Sequence, residues 1–405
     1  METADMQLKP EEIQALEEKY LFATYKRSAL FCSHGSGAYL YDLSGKRYLD
    51  FLAGISVNSL GYNHPRLVRV LVEQGQRLIH SSNLFYNPFQ GLLAKRLTEI
   101  SGMSKVFFTN SGTEAIEASL KIARAYGRAQ NSKDKSVILA LNNSFHGRTL
   151  GALSITSQEQ YQAPFRPLIP DVQFIGEFTR SALEKAFSDR VCALVIEPVQ
   201  GEGGIVPLPA DFVHAGRELC DRFNAVLIAD EIQCGLGRTG KYFAFEHYGI
   251  QPDVITLAKS LAAGYPLGAM LGNERVANSL KPGDHGTTFG GGPLACRLAL
   301  EVLDVIAQDN LISKVEELGN YLIRGLKDLA TRHSLIGEVR GMGLMIGIQI
   351  GSAAKDIVNR LLSRGIITNA AHDTVLRLLP PFIISKSNIE EFLNALDGVL
   401  SEVES

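Results

Sequence analysis

Three short stretches of this chain carry side chains whose types and positions suit chemistry. The run TNSGTEA (109–115) follows an apolar segment and opens a helical pattern. A helix N-terminus exposes unpaired N–H groups and the positive end of its dipole, so Ser111, Gly112 and Thr113 suit a phosphate. Gly112 lets the backbone approach closely, and the two hydroxyls add donors. The same residues also read as a plain N-cap, with Ser111 and Glu114 forming a capping box. In AVLIADEIQ (225–233) an apolar strand ends on Asp230, whose carboxylate is costly there without a partner. Strand alternation turns Asp230 and Ile232 one way and Glu231 the other, so the acid could hold a protonated ring nitrogen while the aliphatic group covers the ring. A strand-end carboxylate capping a neighbouring helix is the alternative. In DVITLAKSLAAGYPLGAM (253–270) Lys259 stands just past another apolar strand, among Gly and Ala. Desolvation and nearby positive charge lower a lysine's pKa, as a Schiff-base-forming amine requires; snorkelling to the surface is the competing reading.

Such side chains need a rigid frame. Seven apolar runs read as buried strands: KVFFT (105–109), SVILAL (136–141), DVQFIG (171–176), VCALVIEPV (191–199), AVLIADEI (225–232), DVITLA (253–258) and LGAMLG (267–272). Helical patterns lie between them, the signature of an α/β fold on a mostly parallel sheet. The clearest spans 113–127, with Ile116, Leu120 and Ala123 at helical spacing and Gly127 as its stop. The chain ends differ from this centre. Residues 1–75 hold a Glu-rich helix and a hairpin turning at Ser44-Gly45, and beyond 310 amphipathic helices flank GLMIGIQI (343–350) and VLRLLPPFII (375–384). The expected organisation is a large domain over 76–310 and a small α+β domain built from 1–75 and 311–405.

A phosphate cradle, an acid for a pyridine nitrogen and a reactive lysine, each at the end of a predicted strand, converge on one cofactor, pyridoxal 5′-phosphate. The wider pattern agrees. YLDFLAGISVNSLGYNHP (48–65), SSNLFYN (81–87), FFTNSGTEAIEASLK (107–121), SFHGRT (144–149), EPVQGEGG (197–204), ADEIQCGLGRTG (229–240), TLAKSLAAGYPLGA (256–269) and HGTTFGGGPLA (285–295) occur in order. By these blocks the chain resembles the class III, or ω-amino-acid, aminotransferases of fold type I, over nearly its whole length. The resemblance implies that Lys259 bonds the cofactor and moves the proton, while Asp230 keeps the pyridine nitrogen protonated. It implies Phe145 and Ile232 on the two ring faces, Gln233 near the phenolic oxygen, and Ser111, Gly112 and Thr113 on the phosphate. Thr288 from a partner subunit would join them, which implies a homodimer with shared active sites.

For substrates, the resemblance implies that Arg148 grips the donor's distal carboxylate and Arg377 the α-carboxylate of glutamate or 2-oxoglutarate, with Thr287 also in contact. Glu202 resembles the family's gate, pairing with Arg377 when no α-carboxylate is present. The implied reaction is transfer from N2-acetyl-L-ornithine to 2-oxoglutarate, a step of arginine biosynthesis. Gly54 stands where relatives acting on free ornithine tend to place a tyrosine, which favours an acylated donor. Succinylornithine, ornithine, 4-aminobutyrate and N-acyl-lysine-type donors are the alternatives, and an aminomutase of the glutamate-semialdehyde type is the other class. The chain departs from the family at Gly292 and at Cys234, where thiol reagents are expected to act.

The totals exclude other classes. Among 405 residues, 45% are hydrophobic and 20% charged, and the net charge of −3 provides no basic field for nucleic acid or membrane. Five scattered cysteines without a CxxC pair suit reduced thiols in a cytoplasm. The acidic N-terminus lacks the apolar core of a signal peptide, and no apolar run reaches the roughly 18 residues of a membrane span. GLGRTG (235–240) matches a dinucleotide pattern and nearly a P-loop, but Tyr242 replaces the Mg²⁺-binding hydroxyl and no clear helix follows. Histidine and cysteine spacings hold no metal motif.

Overall fold

A computed structural model describes residues 8–130 and 134–405; the first part of the acidic N-terminal segment lies outside them. Seven strands form the central sheet: β1 (Lys105–Thr109), β2 (Val137–Leu141), β3 (Val172–Ile175), β4 (Val191–Ile196), β5 (Val226–Asp230), β6 (Val254–Leu257) and β7 (Gly268–Gly272). Their order is β1-β7-β6-β5-β4-β2-β3, and β7 runs antiparallel to both neighbours while the other pairings are parallel. The fold is thus the expected α/β type with a mostly parallel sheet. Every residue of β2, β4, β5, β6 and β7 is buried. Strands covered on both faces need apolar side chains at successive positions, which explains runs without alternation.

The helix after β1 spans Gly112–Ala129 and buries Ala115, Ile116, Leu120, Ile122 and Ala123 against the sheet. It does not stop at Gly127. A Cβ there would lie 2.6 Å from the Lys135 carbonyl oxygen and 2.9 Å from Cys192 Cβ, so this glycine permits close packing instead of ending the helix. The run 191–199 also divides: β4 ends at Ile196, and Val199–Gln200 pairs with Val206–Pro207 in a separate ribbon.

At the N-terminal end, Cys32–Ser36, Tyr39–Asp42 and Arg47–Asp50 form an antiparallel meander, and Ile366–Ile367 joins its edge in parallel. Its second turn is pinned by Asp42 Oδ1, which accepts from the N–H groups of Ser44 and Lys46 at 2.9 Å each. Val339–Met342, Met345–Gln349, Val375–Leu378 and Asn369–Ala371 form another four-stranded sheet. Both chain ends share one core, in which Phe51 stacks on Phe392 at 4.4 Å beside Leu49, Ile346 and Leu378. No helix among the described residues is long and apolar enough to cross a membrane.

Candidate active site

The carboxyl ends of β1, β5 and β6 open on one side of the sheet, where ligands of α/β folds collect. Asp230 ends β5, Lys259 follows β6 by two residues, and Ser111 follows β1 by two. All three face a cavity of about 460 Å³, together with Gly112, Thr113, Phe145, Arg148, Glu202, Ile232 and Gln233.

Ser111 caps its helix, its Oγ accepting from Glu114 N–H at 3.3 Å. The box is not completed, because the Glu114 carboxylate accepts from Asn110 N–H at 2.7 Å and from Asn110 Nδ2 at 2.9 Å. Helix geometry leaves the Gly112 and Thr113 N–H groups without partners inside the helix. A Cβ on Gly112 would approach Ile232 Cδ1 to 2.8 Å, so glycine lets the isoleucine lie over the cup. The Thr113 hydroxyl differs from expectation. Thr149 Oγ1 donates its one proton to Glu117 Oε1 at 2.5 Å, so in the 2.9 Å pair between the hydroxyls Thr113 must be the donor. Its proton points at Thr149, and its backbone N–H remains for an anion.

Asp230 caps no helix. Its Oδ2 is 2.7 Å from His146 Nδ1, and its Oδ1 accepts from Ile232 N–H at 3.1 Å and Thr256 Oγ1 at 3.2 Å. Burial would lower the pKa of His146, but the hydrogen bond and charge of Asp230, with Glu197, more than offset it and raise the value. His146 is thus a buried hydrogen-bonded pocket residue, and it stabilises the Asp230 charge. Glu231 faces away, its carboxylate accepting from the N–H groups of Ala244 and Phe245 at 2.9 and 2.8 Å.

Lys259 does not snorkel to the outer surface. It is half-buried and lines the cavity, and burial, aided by Arg377, lowers its pKa against the opposing charges of Glu202, Asp230 and Glu197. Glu197, at the end of β4, was given no role by sequence reasoning, although it follows the strand-end logic that singled out Asp230. Burial pushes its pKa up to about 7, and it accepts from Phe145 N–H at 3.0 Å and Gly201 N–H at 3.1 Å. Arg148 lies at the mouth with its guanidinium 3.7 Å from the centroid of the Tyr161 ring. Gln233 is buried, and its Oε1 has no partner among the described residues.

Three residues expected at the site do not line the cavity. Arg377 is 1% exposed and reaches it through an ion pair with Glu202, while its Nε donates to Asn369 Oδ1 at 3.0 Å. Thr287 sits one step away, its Oγ1 accepting from Asn110 Nδ2 at 3.2 Å. Thr288 is exposed on the same loop, beside His80–Asn83. Cys234 is also unlike its expectation. It is buried, its thiol lies 3.4 Å from Glu231 Oε2, and burial with the neighbouring carboxylates pushes its pKa well up, so it is a poor target for thiol reagents.

Amine, acid and anion cup together narrow the chemistry to that of a pyridoxal-phosphate enzyme on an α/β sheet. Residues 21–400 match the model of the aminotransferase class-III family, and the chain belongs to that family, whose members depend on pyridoxal phosphate. It is 47% identical to an acetylornithine aminotransferase of Methanocaldococcus jannaschii over 96% of this chain and 98% of that one. An acetylornithine aminotransferase of Aquifex aeolicus is 43% identical, with 94% and 100% covered. Among solved structures, the ornithine aminotransferase of Toxoplasma gondii matches with a TM-score of 0.94 at 34% identity, covering 98% and 96%. The acetylornithine aminotransferase of Elizabethkingia anophelis matches at 0.87 and 32%, covering 98% and 100%. The protein is a pyridoxal-phosphate-dependent aminotransferase.

Proposed function

We propose that this enzyme transfers the δ-amino group of N2-acetyl-L-ornithine to 2-oxoglutarate, giving N-acetyl-L-glutamate 5-semialdehyde and L-glutamate. The observation that carries it is one cavity holding Lys259 and Asp230 at the ends of adjacent strands, with Arg148 at its mouth and Glu202 in its wall, paired from behind with the buried Arg377.

The residues present fit pyridoxal phosphate. The free N–H groups of Gly112 and Thr113 with the Ser111 hydroxyl suit its phosphate, the buried and unpartnered Gln233 Oε1 suits its phenolic group, and the Asp230 carboxylate suits its ring nitrogen. Bound there, the cofactor supplies an aldehyde for the amine and an electron-accepting ring. The chain's own residues do the rest. Lys259, its pKa lowered by burial, offers the Nζ that takes the proton from the donor's amine-bearing carbon and returns it on the other side of the exchange. Asp230, charge-stabilised by His146, keeps a proton on the ring nitrogen. Phe145 and Ile232 cover the two ring faces and exclude water.

Arg148 binds the carboxylate of the acylated donor. Arg377 binds the α-carboxylate of 2-oxoglutarate once Glu202 releases it, so one pocket serves two unlike substrates. This pair favours exchange between two substrates over an aminomutase. Gly54, exposed and left-handed at φ 63°, carries no side chain where relatives acting on free ornithine tend to place a tyrosine, which favours an acylated donor. The high identity to relatives named acetylornithine aminotransferase supports the same donor.

A second copy of this chain completes the site. Leu84 and Phe85 are 85% and 67% exposed, and Phe289 is exposed beside His80. Such an apolar patch suits a partner, whose copy of Thr288 would then join the phosphate cup. The test is glutamate release by the purified enzyme with 2-oxoglutarate and each candidate donor in turn. N2-acetylornithine should have the highest kcat/KM, and Lys259→Ala should abolish release. A higher value for ornithine or 4-aminobutyrate would replace the donor, and semialdehyde isomerisation without 2-oxoglutarate would replace the reaction.

A further inference from the structure

Between the strand Arg47–Asp50 and the helix Pro65–Gly75, four successive residues are left-handed: Ala53, Gly54, Ile55 and Ser56, at φ 49°, 63°, 63° and 65°. Only one is glycine, and for β-branched Ile55 this conformation is a genuine outlier. Strain of this kind persists where surrounding contacts over-determine it, and it gathers at functional sites. The contacts here are specific. Asp50 Oδ1 accepts from Leu52 and Ala53 N–H at 2.7 and 2.9 Å and sets the turn's entry. Ser56 Oγ donates to the Gln233 carbonyl at 3.0 Å and accepts from Arg238 Nε at 3.0 Å. Arg238, buried over the Phe382 ring, donates Nη1 to the carbonyls of Leu344 and Pro380 at 3.1 and 2.5 Å. The turn is therefore clamped to a cavity residue and to the C-terminal sheet.

Its remaining link runs to the lysine. Ser260 Oγ donates to the Ser56 carbonyl at 3.0 Å, and Lys259, the residue before it, is also left-handed at φ 39°. Two strained segments are thus joined by one hydroxyl. We infer that Ser260 is a positioning residue, which anchors on the clamped turn at Ser56 and thereby holds the Lys259 backbone in the left-handed conformation that presents its amine to the cavity. Without the tie, Lys259 can relax toward the right-handed region and carry its amine away from Asp230. The inference rests on the reading of Lys259 as the reactive amine.

The test uses the full-length chain without added cofactor. Salicylaldehyde and cyanoborohydride tag reactive amines, and peptide mass mapping gives the rate at Lys259 relative to the other lysines. Ser260→Ala should slow tagging at Lys259 about fivefold, the ratio that one ordinary hydrogen bond supplies, and Ser260→Thr should restore it. With cofactor and substrates, Ser260→Ala should lower kcat by a similar factor while KM stays within about twofold. Ser56→Ala keeps the carbonyl but frees the turn from Arg238, and should shift tagging in the same direction. If Lys259 of the natural sequence is tagged no faster than other lysines, the reading of Lys259 itself fails. If Lys259 is reactive and either folded variant is tagged at the unaltered rate, the positioning inference is overturned. Failure of both variants to fold would overturn it too, since the tie would then serve the fold and not the lysine.

Discussion

Replacing Glu202 by alanine should make 2-oxoglutarate bind more tightly, because the carboxylate that competes for Arg377 is gone. In the structure Arg377 is buried and has two side-chain partners, Glu202 through Nη1 and Asn369 through Nε. An incoming α-carboxylate must displace Glu202 before it can pair with the guanidinium. Burial alone would raise the pKa of Glu202, but Arg377 more than offsets it and holds the value below the ordinary carboxylate range, so the competitor is charged throughout neutral pH. A hydrogen bond between charged groups contributes about 1.5–3 kcal/mol net, and the Glu202 side chain retains 31% exposure, which favours the lower half of that range. Removing the competitor should therefore lower the KM for 2-oxoglutarate by roughly 10- to 40-fold. Product inhibition by L-glutamate should strengthen by the same factor. The kcat/KM for N2-acetylornithine should fall, because the uncovered arginine now attracts that donor's α-carboxylate in the wrong orientation. Glu202→Gln, which keeps an acceptor but loses the charge, should lie between. Steady-state kinetics with both substrates varied give all of these values. An unchanged or raised KM for 2-oxoglutarate, with donor kinetics untouched, would show that Arg377 is not where the α-carboxylate binds.

Thr113→Val should change cofactor affinity by less than about threefold, since the hydroxyl proton is directed at Thr149, whereas Gly112→Ala should weaken it by more, because the added carbon meets Ile232. Equilibrium titration of the cofactor-free protein distinguishes them, and a large loss for the valine variant would refute the proton assignment. Asp230→Asn should lower kcat by about 10²–10³ by removing charge where the ring nitrogen is held, and stopped-flow single turnovers should locate the loss in chemistry and not in substrate binding. His333 is enclosed by Asp397 and Glu404 at 2.6 and 2.7 Å; burial lowers its pKa, but the two carboxylates win and raise it above the ordinary 6.5. The folded state then binds this proton more tightly than the unfolded chain, so the stabilisation is complete below about pH 6.5 and is lost as pH rises through the folded value. His333→Gln should flatten the melting temperature against pH in that window, and an unaltered slope would rule the clamp out.

The residues to which we assign the chemistry were legible because they contradict their surroundings. Lysine and aspartate at the ends of apolar strands are costly without a task, and that cost marks Lys259 and Asp230 in the sequence itself. The strands were legible for a related reason, since burial on both faces forbids polar residues at successive positions. Direction was not: β7 is as fully buried as the parallel strands β5 and β6, and hydrophobic runs carry no sign for which way a strand points. Gly127 read as a helix stop because glycine ends helices and permits close contacts with equal ease, and only the position of Lys135 and Cys192 decides between these uses. The proton of Thr113 is fixed by Glu117, four residues along the helix, acting through Thr149 on a distant loop. No local pattern encodes that chain. Arg238 is the sharpest case. Its GLGRTG setting carried only glycine patterns that were set aside, yet its guanidinium is buried and grips Ser56, Leu344 and Pro380, segments more than a hundred residues away on either side. A catalytic side chain is recognisable by what it must avoid, but one that aims another is recognisable only by what it reaches, and reach exists only after folding.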